Sequence, residues 1–351
     1  MLGFKSSSII NFVKNFYMCL LFSLFMDAYL SKSLSDNKVK CLACAHNCVI
    51  GEGKKGICSI RENVGGKLIL NAYGSAVSMG VDPVEKKPLY HFLPGSLTFS
   101  FGTLGCNFKC GFCQNFDISF PKNFVFKKNL SPEEAVFLAK NNGCKSISYT
   151  YTEPAIFAEY VIDTARLAKK AGLKNVLVTN GFLSQESLDK FSEVIDAVNI
   201  DLKSFNEDFY KKHCRARLDP VLNAIKFFHK KNIWVEVTTL LIPDMNDSVD
   251  ELKKIASFIA SVDNEIPWHI SRFFPMHEFS DKSITPIETL HMAKTIGIDE
   301  GLKFIYLGNV PLEIVTSCPS CQKDLIIRNN FVKLNLENNK CVCGYELRGV
   351  F

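Results

Sequence analysis

Through the middle of the chain, short apolar runs alternate with longer stretches in which apolar residues recur at helical spacing. Strands are predicted at Leu97–Gly102, Ser146–Thr152, Asn175–Thr179, Ala197–Lys203, Ile233–Ile242, Trp268–Phe273 and Lys303–Leu307. The first predicted helix opens at Ser131-Pro132, where Ser131 is the N-cap, Pro132 takes the first position and Glu134 completes a capping box. Gly143 is its stop. Further helices are predicted at Phe157–Ala171 (ended by Gly172), Pro220–Lys231 (headed by Asp219), Val249–Val262 (headed by Asp247 and Ser248) and Ile287–Gly297. Strand–helix repeats of this kind make parallel β/α units with right-handed crossovers. The fold class is therefore α/β, with a partial (β/α)6-type barrel over residues 97–310.

Two of these strands depart from the all-apolar pattern of a buried parallel sheet. In Ala197–Lys203, Val198, Ile200 and Leu202 share one face, while Asn199, Asp201 and Lys203 share the other. Helices cover the outside of a β/α barrel, so this polar face looks inward, as a ligand site or as a mutually satisfied buried pair. Ser146, Ser148, Thr150 and Thr152 line one face of another strand, which ends at Glu153-Pro154. Asn180-Gly181 ends the next strand at the same edge, where β/α-barrel chemistry usually sits. His269 and Arg272 read equally as structural or functional.

Composition adds one unusual number. Forty-one Lys and Arg against 36 Asp and Glu give a net charge of +5 over 351 residues, which neither demands nor forbids a nucleic-acid partner. With 47% hydrophobic and 22% charged residues, disorder and collagen-like repeats are excluded. There are 14 cysteines, and eleven fall in three tight groups: Cys41, Cys44, Cys48 and Cys58; Cys106, Cys110 and Cys113; and Cys318, Cys321, Cys341 and Cys343. Grouped thiolates converge on metals, which suits a reducing compartment and a cytoplasmic location over a disulfide framework. The isolated Cys19, Cys144 and Cys214 read as plain buried thiols.

The N-terminal extension, residues 1–35, carries a 12-residue uncharged stretch from Asn15 to Met26. A membrane span needs roughly 20 residues, so no stable span is expected. Lys5 and Lys14 imitate a signal peptide, and a surface helix is a third reading; translation starting at Met26 is the preferred one. Residues 36–65 then form a four-cysteine metal-binding segment, residues 66–96 a linker, and residues 311–351 a zinc-ribbon-like domain after the barrel.

The central triplet directly follows the first predicted barrel strand and spaces its thiols C-x3-C-x2-C. Structural zinc takes four ligands, and an ordinary 4Fe-4S cluster takes four cysteines. Three cysteines without a fourth leave one iron open to chelate a substrate's amino and carboxylate groups. Zinc borrowing a distant ligand is the alternative. Cys106-x3-Cys110-x-Phe112-Cys113 resembles the signature of radical S-adenosylmethionine (SAM) enzymes. The resemblance implies that a 4Fe-4S cluster held by Cys106, Cys110 and Cys113 binds SAM, with Phe112 near the adenine. It also implies reductive cleavage to a 5′-deoxyadenosyl radical that takes hydrogen from a substrate. Thr152 and Glu153 stand at the motif that receives the SAM amino group, Asn180 and Gly181 near the ribose, and Asp201 and Lys203 on the strand bordering SAM.

Asp82 to Gly95, Cys113-Gln-Asn115, Asn199 to Lys203, Leu241-Ile-Pro243 and Pro267 to Arg272 resemble the AmmeMemoRadiSam-system radical SAM enzyme, a group similar to pyruvate formate-lyase activating enzymes. The likeness covers about residues 38–351. Val178 stands where activating enzymes carry an aspartate, which weakens the reading as a glycyl-radical activase. An electron donor such as flavodoxin or ferredoxin is implied, and the substrate is a protein or a small molecule.

Cys41, Cys44, Cys48 and Cys58 make a complete four-thiolate set, read first as zinc and second as another iron–sulfur cluster. Cys318, Cys321, Cys341 and Cys343 read as a zinc ribbon around a small hairpin, in which the short C-x-C step threatens to displace one ligand. No Arg/Lys–aromatic stripe supports nucleic-acid binding. The rival of another class is a non-catalytic zinc- or nucleic-acid-binding scaffold.

Overall fold

The computed structural model describes residues 26–329 and 331–351. The N-terminal apolar stretch and its alternative readings, and Cys19, lie outside the described residues apart from Met26. Two small three-stranded antiparallel sheets come first. One joins β1 (Met26–Asp27), β6 (Lys67–Leu70) and β5 (Arg61–Val64); the other joins β2 (Ser31–Ser33), β3 (Val39–Cys41) and β4 (Val49–Ile50). The third sheet has eight strands. β7 (Ser78–Pro83) pairs antiparallel with β8 (Leu97–Gly102). Parallel pairing then runs in chain order through β9 (Ser146–Tyr149), β10 (Lys174–Thr179), β11 (Ala197–Asp201), β12 (Trp234–Leu241), β13 (Trp268–Arg272) and β14 (Ile305–Gly308).

Helices α1 (Pro132–Asn141), α2 (Ala158–Lys170), α3 (Gln185–Ser192), α4 (Asp219–Lys230), α5 (Val249–Val262) and α6 (Ile287–Asp299) fill the six crossovers. Six β/α units and a closing seventh strand are therefore present, and the sheet is open, with β7 and β14 at its edges. The α1 capping box forms as the sequence implies: Glu134 N donates to Ser131 Oγ, and Ser131 N donates back to the Glu134 carboxylate. Asp219 is not the cap of α4. It is the first helical residue, preceding Pro220, and Leu218 at the cap position has no side-chain acceptor.

Residues 66–96 are not a linker. β7 extends the sheet, while Leu89 and Phe92 are fully buried and pack with Val84, Val176 and Ala197 across the base of the barrel. Backbone amides of Tyr90 and His91 donate to the buried Glu236 carboxylate, which also accepts from His269 Nε2 at 2.6 Å. His269 thus belongs to a structural plug at the end of the strands opposite the cysteine triplet. Arg272 Nε donates to Thr285 O at 2.7 Å and is structural as well.

The C-terminal unit consists of β15 (Ile314–Ser317), β16 (Asp324–Arg328) and β17 (Val332–Leu334). It docks on the same base, where Arg328 donates to Tyr90 O, and Val350 N donates to His91 O at 2.8 Å. The last two strands form the hairpin expected between the cysteine pairs.

Candidate functional site

Parallel strands end together, so the loops that follow them share one rim. β8 leads through Gly105, at φ +89°, into the cysteine loop. A Cβ at Gly105 would stand 2.5 Å from Cys58 O, so only glycine allows the N-terminal segment to lie directly against this loop. Nine residues singled out from the sequence line one cavity of about 370 Å³: Cys106, Cys110, Cys113, Phe112, Thr152, Glu153, Asn180, Asp201 and Lys203. Gly181 is not in that lining. At φ +70° it turns the chain beneath Asn180 and packs on Ile200 and Val221.

All three triplet thiols are pushed above their ordinary range. Burial dominates for Cys106 and Cys113. For Cys110 the leading cause is a hydrogen bond with Cys214, followed by burial. Three thiols that resist ionisation, Cys110 buried and Cys106 and Cys113 partly so, need a cation to become thiolates. No three sulfurs of this loop meet within 4.8 Å of one another among the described residues. That spacing suits a cluster, which attaches each thiolate to a different iron. Cys214 is the buried thiol that its isolation implied: it is fully buried, lies outside the cavity lining, hydrogen-bonds with Cys110, and its carbonyl accepts from Lys109 N at 3.0 Å.

Around the cysteines, Phe112 is 4% exposed and packs its ring on Phe209 at 5.9 Å and Phe279 at 5.7 Å. Lys203 Nζ pairs with Asp201 at 2.9 Å and stands 5.9 Å from the Phe112 ring centroid. Burial opposes the ammonium charge, but Asp201, Cys110 and Cys214 outweigh it, so the Lys203 pKa is raised well above the usual lysine range. β11 ends at Asp201, and Lys203 stands just beyond the sheet edge. The Asp201–Lys203 pair is mutually satisfied and lines the cavity, and it is only partly buried, with the Asp201 side chain 36% exposed.

Glu153 clamps two strand ends. Its carboxylate accepts from Thr179 Oγ1 (2.7 Å), Ala155 N (3.0 Å) and Asn180 N (2.8 Å). Burial raises its pKa to about 7, against the lowering effect of these three donors, and Asp201 adds to the rise. Asn180 in turn donates from Nδ2 to Asn107 Oδ1 at 2.8 Å and accepts from Phe182 N at 3.0 Å. Thr152 Oγ1 donates to Thr103 O at 2.9 Å, tying its loop to the end of β8.

Several lining residues were invisible to pattern reading. Lys87 arrives from the segment after β7, is 4% exposed, pairs with Asp82 at 2.9 Å and lies 5.0 Å from the Tyr151 ring centroid. Its burial lowers its pKa, with Asp82 acting in the opposite sense. Tyr151 adopts φ +67°, rare for a bulky residue, and Asn115 Nδ2 holds its carbonyl at 2.7 Å. The string from Asp82 to Gly95 was the available signal, but nothing local connected it to this rim.

A family model of the radical SAM superfamily matches residues 101–259, the stretch that carries the triplet and the rim residues from Thr152 to Lys203. An uncharacterized protein of Methanocaldococcus jannaschii is 44% identical over 330 residues, covering 92% of this chain and 98% of the relative. The chain belongs to the radical SAM superfamily. A putative glycyl-radical enzyme activating enzyme of the same organism is 29% identical over 215 residues, covering 59% of this chain and 77% of that one. The pyruvate formate-lyase 1-activating enzyme of Escherichia coli is 26% identical over 175 residues, covering 47% and 71% respectively.

The two flanking cysteine groups differ. Cys318, Cys321, Cys341 and Cys343 bring all four sulfurs within 4.8 Å of one another, the geometry of a single tetrahedral ion. The short C-x-C step displaces no ligand. Cys41, Cys44, Cys48 and Cys58 line one small cavity, yet no three of their sulfurs meet that limit. No helix among the described residues is long and apolar enough to cross a membrane.

Proposed function

We propose that Cys106, Cys110 and Cys113 hold a 4Fe-4S cluster whose open iron takes SAM in the cavity at the strand ends. The observation that carries this is the shared lining of that cavity, with three thiols beside Phe112, Glu153, Asn180, Asp201 and Lys203. When bound, the cluster and SAM supply one-electron cleavage of a sulfonium C–S bond and a 5′-deoxyadenosyl radical for hydrogen abstraction. The protein's own groups position and shield. Phe112 offers an aromatic face to the adenine, and the Asp201–Lys203 pair presents both charges to a zwitterionic ligand. Glu153 keeps the ends of β9 and β10 together, so that Thr152 and Asn180 hold their places. Lys87 and Tyr151 line the same cavity and would meet the substrate.

A low-potential donor of the flavodoxin or ferredoxin type supplies the electron in a cytoplasmic setting. The likeness to the AmmeMemoRadiSam-system group belongs to this proposal, as does zinc in the C-terminal ribbon. A glycyl radical on a partner enzyme is the second reading; the activating-enzyme relatives favour it, and Val178 in place of an aspartate argues against it. The test is 5′-deoxyadenosine formation from SAM under dithionite, lost in Cys106→Ala, Cys110→Ala and Cys113→Ala. Lys203→Ala should weaken SAM binding with iron content unchanged. Wild-type protein that carries zinc in the triplet and makes no 5′-deoxyadenosine after anaerobic reconstitution would sink the reading. A doublet glycyl signal on a co-purified polypeptide selects the activase.

A further inference from the structure

We infer that Cys41, Cys44, Cys48 and Cys58 hold a second 4Fe-4S cluster, packed against the loop of the radical SAM site. The chain contains its own comparison. A tetrahedral zinc with Zn–S near 2.3 Å sets its sulfurs about 3.8 Å apart. The ribbon cysteines meet that requirement, with Cys318 to Cys343 and Cys321 to Cys341 both at 3.5 Å. The N-terminal four surround a common cavity and are buried except for Cys48, yet no three of them converge within 4.8 Å among the described residues. Thiols that line one cavity without converging on a single point fit a cofactor that ligates each through a separate iron.

Asn107 supplies an independent sign. It lines the same cavity, is 1% exposed, and its Nδ2 has no hydrogen-bond partner. Its orientation is settled by its neighbour: Asn180 Oδ1 accepts from Phe182 N, so Asn180 Nδ2 must donate and Asn107 Oδ1 must accept. The free Asn107 Nδ2 is then a buried amide donor without an acceptor, a costly state in a folded protein. The sulfides of a cluster provide acceptors, and such hydrogen bonds tune its potential. Arg61, 1% exposed, completes the wall, its guanidinium paired with the buried Glu159 carboxylate. Asn107 follows Cys106 directly, and its carbonyl contacts His46 Nε2 at 2.9 Å, so the two cysteine-bearing loops touch.

Anaerobic reconstitution followed by iron, sulfide and zinc analysis of the full chain decides the matter. Two clusters give about eight iron and eight sulfide per wild-type chain. Cys41→Ser/Cys44→Ser should halve both. The triple variant Cys106→Ala/Cys110→Ala/Cys113→Ala should keep half the iron and show a reduced-cluster EPR signal that SAM does not shift. This arm stands even if the first variant fails to fold. Wild-type protein with about four iron and two zinc, and a triple variant with none of the iron, would overturn the second cluster and leave the radical SAM reading intact. Wild-type protein with half the iron, all of it kept by the triple variant, would support the second cluster and overturn the first.

Discussion

The Arg61–Glu159 pair ties the N-terminal cysteine segment to the barrel, and its loss should be severe. Arg61 is 1% exposed and Glu159 fully buried. Arg61 donates through Nη1 to Glu159 Oε1 at 3.0 Å, through Nη2 to Oε2, and through Nε to Ile156 O at 2.7 Å. Glu159 Oε1 also accepts from Leu30 N at 3.0 Å. Arg61→Met removes the guanidinium and leaves a buried carboxylate with one backbone donor. Breaking a buried pair from one side costs about 3–5 kcal/mol, because the remaining charge is stranded. The pair itself has a smaller net worth, since both ions were desolvated to form it. Adding Glu159→Gln to Arg61→Met should therefore recover most of the loss, to within about 1–2 kcal/mol of wild type. Urea unfolding of the metal-loaded protein under anaerobic conditions measures both steps. A single variant that loses less than about 1 kcal/mol, or a double variant no better than the single, would show that this ion pair does not anchor the segment.

Gly181→Ala should cost about 2–4 kcal/mol and lower SAM affinity: φ is +70° and the new Cβ would lie 2.9 Å from Ile200 Cγ2, displacing Asn180. Unchanged SAM affinity by equilibrium dialysis would contradict this. In protein stripped of iron and SAM, Glu153 titrates near 7 when folded against an ordinary 4.5, so the folded state binds the extra proton between those values. Its contribution is fully present below pH 4.5 and lost as pH rises to 7, a fall of about 3 kcal/mol. Glu153→Gln should flatten that slope in urea titrations, and an identical slope in the variant would refute the assignment. Chelation of the zinc proposed for the ribbon should raise hydrogen exchange at Leu325 and Ile326, both buried beside Cys318, while β9 to β12 stay protected. Loss of protection throughout the barrel would instead mean that the ribbon holds the whole fold.

Much of this protein is determined by covalent spacing, and that part could be read without a structure. The C-x3-C-x2-C triplet sits after the first barrel strand whatever else the chain does, and the β/α alternation sets strand order and crossover hand. Asp201, Lys203, Glu153 and Asn180 were legible because strands of a parallel sheet end at one edge, so residues at those ends must share a rim. Strand limits were less legible: Thr150 to Thr152 and Lys203 leave the sheet once their neighbours stop pairing. Lys87 reaches the rim only because β7 folds back antiparallel on β8, a pairing that its alternating sequence did not announce. Cys214 and Asn107 take their meaning from side chains more than 70 positions away, Cys110 and Asn180. The two flanking cysteine sets look alike as strings, both offering four thiols. Tertiary packing alone separates them, because sulfur-to-sulfur distance depends on how the surrounding backbone is held: it draws one set together around a single point and spreads the other around a cavity.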